Sequence, residues 1–529
     1  MNSTNSMTPT ERAIQALPKH LRRFVVPQDC GAYTPRDHAV WRHILGRLTG
    51  HLKDKAVESY LRGLEATGIG LERIPSLDEM NLRLSRLGWS AVSVRGFIPP
   101  AVFTELQSLG VLAIAADIRT YEHVDYTPAP DIIHESAGHA PILSDSRYAE
   151  YLKRSGVAGF KAIASIEDQA VFEAIRALSV VKEDPAATPE DVRFAVERLE
   201  AAGASRRYVS ENTRASRLYW WTAEYGLVGD LEHPKIYGAG LLSSIGEAER
   251  CLSQAVKKLP LSLVCTETEY EITTMQPQLF VARDFDHLFE VLEAFEATMA
   301  WKRGGDSGLH EAVQARTVNH LVLSDGLELS GKVVEVVDGP ESSKGLRASL
   351  ARLEGPVLLS REGRGIRKPW SGEALLAFGE AELPSHGTFE LKLLSELVIS
   401  GFMVSDHEVI NLRAELDGHS LQVPSWALLF ISEGLPSVAG GPADPGEWDR
   451  WFGEQNAFAE GDEEAEARAR KAAALSPRLA EIYEAVRAMR ESGKPDGARL
   501  QAWLGESGKD WLLQEEIQEL LGQESRVQG

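Results

Sequence analysis

Two histidines five residues apart, His134 and His139, lie in the string Tyr126-Thr-Pro-Ala-Pro-Asp-Ile-Ile-His-Glu-Ser-Ala-Gly-His-Ala-Pro-Ile-Leu143. Neutral imidazole is the commonest metal ligand among side chains. Five residues of a regular helix turn through about 500°, so the two rings diverge unless the helix is locally distorted. Gly138, directly before His139, permits such a distortion. The spacing is one residue too long for the His-Glu-x-x-His motif of zinc proteases, which sets both rings on one helical face.

A third candidate ligand stands in the aromatic segment Leu218-Tyr-Trp-Trp-Thr-Ala-Glu-Tyr-Gly-Leu227. A carboxylate buried without a partner costs several kcal/mol, so Glu224 must pair, protonate or bind a metal. Its ordinary alternative is an ion pair with Arg217 at the surface. Two histidines and one carboxylate form the facial triad of non-haem iron(II) oxygenases, which leaves positions open for dioxygen and water.

The elements that must position these residues are mostly helical over residues 1–303. The string Pro35-Arg-Asp-His-Ala-Val-Trp-Arg-His-Ile-Leu-Gly-Arg-Leu48 has proline near a helix N-terminus and apolar residues every three or four positions. Segments 146–184, 188–203, 214–226 and 287–302 repeat that pattern. Strand-like pieces such as Ala91-Val-Ser-Val94 and Val111-Leu-Ala-Ile114 are short. Past the hinge-like Gly304-Gly-Asp-Ser-Gly308, short apolar runs separated by Gly, Pro and Ser suggest a β region. Among them are Val333–Val337, Val357–Ser360 and Phe389–Leu393. The last part carries nineteen acidic and eleven basic residues from position 441 onward, crowded around 460–466. It reads as helix over 463–490 and again over 511–521, where an apolar stripe serves either its own domain or self-association. The expected architecture is a mainly α catalytic domain (1–308), a small β-rich domain (309–440) and an acidic helical C-terminal region (441–529). No motif carrying chemistry occurs after residue 310.

Composition narrows the classes. Apolar residues make up 43% of the chain and charged residues 25%, as in ordinary globular proteins. Net charge is −22, a field that repels nucleic acid and anionic membranes. No apolar run is long enough to span a bilayer, and the first twenty residues lack the apolar core of a secretory signal. Cys30, Cys251 and Cys265 form no Cys-x-x-Cys pair and no disulfide framework, which suits a cytoplasmic location.

Three strings together resemble the pterin-dependent aromatic amino acid hydroxylases, the family of the phenylalanine, tyrosine and tryptophan hydroxylases. They are the His134/His139 string, the Glu224 string and Tyr237-Gly-Ala-Gly-Leu-Leu-Ser-Ser-Ile-Gly-Glu247, in family order from about Trp89 to Trp301. The resemblance implies a monooxygenase that uses Fe(II), tetrahydropterin and O2 on the ring of a small aromatic amino acid. His134, His139 and Glu224 would bind the iron. Arg119, Thr127, Pro128, Trp220, Tyr225, Gly240, Ser243 and Glu247 would hold the substrate, with the Arg119 guanidinium on its carboxylate. An ion pair with Asp117 or Glu122 is the plainer use of Arg119. Gly96, Phe97, Ile98 and Phe103 would form the pterin loop, with Phe103 stacked on the ring and Glu135 facing the cofactor.

The chain departs from that family in three ways. Ala129 stands where many members carry a glutamate. Extra length between His139 and Glu224 falls around residues 181–205, where an added hairpin is expected. About 220 residues follow the last motif at the C-terminus and suggest a regulatory, assembly or partner-binding unit separate from catalysis. Phenylalanine is the first substrate expected and tryptophan the second. A zinc hydrolase on the same three ligands and a catalytically silent scaffold are the alternatives from other classes.

Overall fold

The computed structural model describes residues 7–121, 124, 131–184, 186–271, 274–340, 347–393, 395–423, 425–452 and 475–528. Thr127, Pro128, Ala129, Glu122 and the acidic crowd at 460–466 lie outside these residues.

Helices dominate the N-terminal half, and their starts are written in the sequence. The Pro35–Leu52 helix opens on a Thr34/Asp37 capping box with proline in its first turn. It buries Val40, Trp41, Ile44, Leu45, Leu48 and Leu52, the stripe that its periodicity predicts. Capping boxes at Ser165/Asp168 and Thr188/Asp191 start the two long helices Ile166–Glu183 and Pro189–Ala204. These helices pack on each other, and the second buries only Ala195, so it rides on the outside.

The short strands matter more than their length suggests. Ser90–Val94 and Val111–Ala115 pair in parallel and are joined by the Pro100–Ser108 helix. A parallel pair needs such a crossover, and ligands in open α/β units gather beyond the carboxyl ends of the strands. Gly96–Ile98 leaves one of those ends and Arg119 follows the other. A second sheet of four short strands pairs Lys235–Ile236, Leu227–Val228, Gln278–Ala282 and Lys257–Pro260 in that order, just past Glu224.

Beyond residue 317 the β region is larger than expected. Among the described residues eleven strands form one sheet, antiparallel except where Ala374–Phe378 runs parallel to Ala427–Ser432. The Gly304–Gly308 stretch is not a loose hinge. Gly304 and Gly305 have φ of 59° and 81°, and the Asp306–Ala315 helix begins directly after them. That helix buries Leu309, Ala312 and Ala315 in a core shared by the sheet with Ile163 and Ala300 of the N-terminal half. Arg316 pairs with Glu167, and Thr317 Oγ1 donates to Ala164 O at 2.7 Å.

The chain then returns to the N-terminal half. Helices Pro477–Ser492, Gly497–Glu506 and Trp511–Gln528 place Ile482, Tyr483, Val486, Leu500, Leu512, Leu513, Ile517 and Leu520 in one core with Trp41 and Ile44. The stripe over 511–521 is thus used within its own chain. Arg42 forks onto Glu516 at 2.7 and 2.8 Å, and His43 Nδ1 meets Glu515. These contacts pack the C-terminal helices onto the N-terminal half, where the sequence suggested a separate unit. No helix of the described residues is long and apolar enough to cross a membrane.

Candidate active site

Both histidines sit on one widened turn. Residues His134–His139 form a π-helix, in which each N–H reaches back five residues instead of four. Residues five apart then lie nearly above one another, which removes the divergence of a regular helix. A second π turn, Trp220–Glu224, closed by Tyr225 N–H on Trp220 O at 2.8 Å, brings Glu224 to the same point. Glu224 Oε2 lies 3.2 Å from His134 Nε2, and its Oε1 lies 3.0 Å from His139 Nε2. Among the described residues these three form the one group of metal-competent donors within 4.8 Å of one another. The surface pairing of Glu224 with Arg217 does not occur; Arg217 pairs with Glu269.

The donor set suits a divalent cation. Ser243 Oγ donates to Ala239 O at 2.7 Å and so accepts from His134 Nδ1–H at 3.0 Å. A neutral His134 then carries a bare Nε2 lone pair that faces a carboxylate. Two lone-pair donors held together call for a positive charge between them. Burial disfavours a charged His134, but Glu224 outweighs it and raises the ring's pKa to about 9. Burial works against the Glu224 anion as well, yet the two imidazoles hold that carboxyl well below the usual range.

Gly138 has a different role from the one its position suggested. It shows no positive φ. A Cβ there would lie 2.7 Å from Ala239 O and 3.1 Å from Ala239 Cβ. The missing side chain lets the Ala239–Ser243 helix approach closely enough for Ser243 to reach His134. Gly240 likewise passes close to the Tyr225 ring, where a Cβ would be 3.0 Å away.

Around the triad, Arg119 is buried and, among the described residues, bound to Asp131 and not to Asp117; Glu122 lies outside the described residues. Arg119 Nε donates to Asp131 Oδ2 and Nη2 to Oδ1, both at 2.8 Å, and Arg119 N–H adds a bond of 3.0 Å. Asp131 Oδ1 also accepts His134 N–H at 3.0 Å. Burial acts against the Asp131 anion, but Arg119 outweighs it and lowers its pKa. One carboxylate therefore ties the guanidinium to the turn that carries His134. Sequence reasoning quoted Asp131 without assigning it; its place three residues before His134 is an N-cap signal that was available.

Trp220 stands in an aromatic stack, 4.8 Å from Tyr225 and 4.2 Å from Tyr270, a ring that the motifs did not reveal. Glu247 is buried with its Oε1 on Gln276 N–H at 3.2 Å, and burial raises its pKa to about 7. Its visible work is to hold the Gln276 backbone.

On the other side, Gly96 adopts φ of 57° at the exposed turn. Phe97 is half-buried, and the Ile98 side chain belongs to a core with Val92 and Leu106, which leaves only its backbone for a ligand. The Phe103 ring meets Tyr219 edge-on at 5.7 Å, and Tyr219 lies 6.3 Å from His139. Tyr219 thus links the loop to a triad ring. Glu135 is buried beside both histidines, and desolvation raises its pKa.

The sequence profile of the biopterin-dependent aromatic amino acid hydroxylases matches residues 26–172 and 193–303. Phenylalanine-4-hydroxylase of Pseudomonas aeruginosa is 32% identical over 271 residues, covering 50% of this chain and 86% of that protein. The chain belongs to this family.

Another relative is the phenylalanine-4-hydroxylase of Chromobacterium violaceum, 29% identical over 270 residues, with 50% and 76% of the two chains covered. A solved structure of the Chromobacterium violaceum enzyme, with bound iron(III) and 7,8-dihydrobiopterin, aligns over 54% of this chain and 90% of that one. Its identity is 28% and its TM-score 0.42. The hydroxylase is an aromatic amino acid monooxygenase that works with iron, a pterin and O2, which removes the zinc-hydrolase alternative. The match begins well before the expected Trp89. It breaks between 172 and 193, inside the paired helices that lengthen the chain ahead of Glu224.

Proposed function

We propose that the hydroxylase converts phenylalanine to tyrosine, with His134, His139 and Glu224 as the iron ligands. The observation that carries this reading is the meeting of three donors on two π turns, with Asp131 joining them to Arg119. The relatives' shared name, phenylalanine-4-hydroxylase, supports that substrate and ring position.

When bound, iron and tetrahydropterin supply the activation of dioxygen and the two electrons it needs. The protein's residues do the rest. His134, His139 and Glu224 would hold the iron through three donors, a set that leaves coordination positions for other ligands. Ser243 holds the proton of His134 on Nδ1, which would leave Nε2 free to bind the iron. Two sides of the Arg119 fork are committed to Asp131, and its remaining N–H groups are the charge for the substrate carboxylate. Trp220 and Tyr225, stacked beside Glu224, wall the space for the substrate ring, and Gly240 keeps that wall thin. Thr127 and Pro128 complete that side in this reading. Gly96, Phe97, the Ile98 backbone and Phe103 receive the pterin, with Glu135 toward it. Three free thiols, two of them buried, support a reducing cytoplasmic setting.

The test uses the full chain loaded with Fe(II), tetrahydropterin and O2. Phenylalanine, tryptophan and tyrosine are supplied singly, and products are identified by mass and retention time. Tyrosine from phenylalanine is the expected product; turnover of tryptophan alone would replace the substrate assignment. His134→Ala and His139→Ala are each expected to lose stoichiometric iron, and retention of it in either variant would overturn the ligand set.

A further inference from the structure

The C-terminal helix Trp511–Gln528 reaches the segment that follows Arg119. Tyr121, two residues after Arg119, stacks on Trp511 with ring centroids 5.3 Å apart and planes 24° from parallel. The Arg36 guanidinium lies over the Tyr121 ring at 4.1 Å. Arg36 also approaches Asp510, the neighbour of Trp511, at 4.0 Å. Asp510 is itself pinned, accepting from the buried Tyr483 hydroxyl at 2.9 Å and from Leu513 N–H at 3.1 Å. Val124 lines a cavity of about 460 Å3 together with Trp511, His43 and Gln514. Tyr121 therefore stacks on a helix from the far end of the chain, and Val124 shares a cavity with it.

We infer that Trp511 is a positioning residue for substrate binding, acting through Tyr121 on the Arg119 segment. The inference rests on the reading of Arg119 as the holder of the substrate carboxylate. Its physical content is simple. Arg119 is held from one side by Asp131, and its chain continuation is held by a ring clamped between Arg36 and Trp511. A guanidinium must sit within a fraction of an ångström of its place to grip a carboxylate with two parallel bonds. Loss of one clamp face loosens that placement and leaves the triad, whose supports are Ser243 and Asp131, untouched. The residue at 511 lies beyond the family's matched segment, which ends at residue 303, so this would be a substrate-site support that this chain supplies from its C-terminal helices.

The experiment compares full-length, iron-loaded wild type with Trp511→Ala, Trp511→Phe, Tyr121→Ala and the Trp511→Ala/Tyr121→Ala double variant. Trp511→Ala is expected to raise KM for the amino acid about two- to tenfold, the range of one aromatic stack. The kcat, KM for the pterin and iron content should stay at wild type. Trp511→Phe, which keeps a stacking ring, should restore most of the affinity. The double variant should be no worse than Tyr121→Ala, because both changes break one linkage. Equal losses in kcat and in both KM values would mark a structural role and overturn the inference, as would an unchanged amino-acid KM in folded Trp511→Ala. Arg119→Lys separates the two layers. If it leaves the amino-acid KM unchanged, the carboxylate assignment fails; if it raises KM while Trp511→Ala does not, only the coupling fails.

Discussion

Replacing Gly138 with alanine tests whether close packing, more than backbone freedom, builds the metal site. The added Cβ would stand 2.7 Å from Ala239 O and 3.2 Å from its carbonyl carbon. Both segments are buried backbone, so neither can yield as a flexible side chain would. Restoring an ordinary contact of about 3.5 Å requires them to part by roughly 0.5–0.8 Å. That motion carries Ser243 away from His134 and lengthens their 3.0 Å bond to about 3.6 Å, where it no longer counts as a hydrogen bond. Overpacking costs about 1–3 kcal/mol and the orphaned Nδ1–H another 1–3, so a loss of about 2–6 kcal/mol is expected. Iron affinity should fall about 10- to 100-fold, as for the loss of an outer partner of a metal ligand. Urea denaturation and iron titration of the desalted protein measure the two effects. Ser243→Ala removes the hydrogen bond without the clash and should weaken iron binding with a much smaller loss of stability. A Gly138→Ala protein with wild-type iron affinity and stability would refute the packing argument.

Further outcomes follow from the same contacts. Asp131→Asn leaves the Arg119 charge buried without its partner and should cost about 3–5 kcal/mol in urea unfolding, with a fall in kcat/KM for the amino acid. His38 is buried, accepts Ile74 N–H on Nδ1 at 3.2 Å, and is depressed to about 4, chiefly by desolvation. The unfolded chain therefore binds the extra proton between about pH 6.5 and 4, so stability should drop as pH falls through that window. His38→Asn, whose Oδ1 can keep the acceptor, should flatten the slope in denaturation midpoints taken across it. A chain ending at Gly308 cuts the Asp306–Ala315 helix in its first turn and strips the C-terminal helices from the Trp41 core. It should melt lower and lose soluble yield, and a fully soluble, stable and active fragment would contradict the shared core.

The residue types of the site were legible because chemistry constrains them locally. Two histidines and an acid inside long motifs point to a candidate metal site and to the family, whatever the fold around them. A leading proline and periodicity over 35–48 likewise announced the Pro35–Leu52 helix, and short apolar runs the strands before Arg119, since they depend on neighbours within a few positions. The acceptor for Arg119 was not legible, although Asp131 was in plain view. Which of several nearby carboxylates a guanidinium meets depends on the path of the backbone between them.

What only the tertiary structure decided involves contacts between distant parts of the chain. The π turns resolve the awkward five-residue spacing, but hydrogen bonds one residue longer than usual carry no separate sequence signature. Gly138 looked like a point of flexibility and is a point of approach, because the Ala239 backbone that it admits lies a hundred residues on. The apolar stripe over 511–521 showed that the last helix must bury one face. It could not show that this face closes on Trp41 and Ile44, nor that Trp511 arrives beside Tyr121. An amphipathic pattern states that a partner is needed, and only the assembled fold determines which surface is left open to receive it.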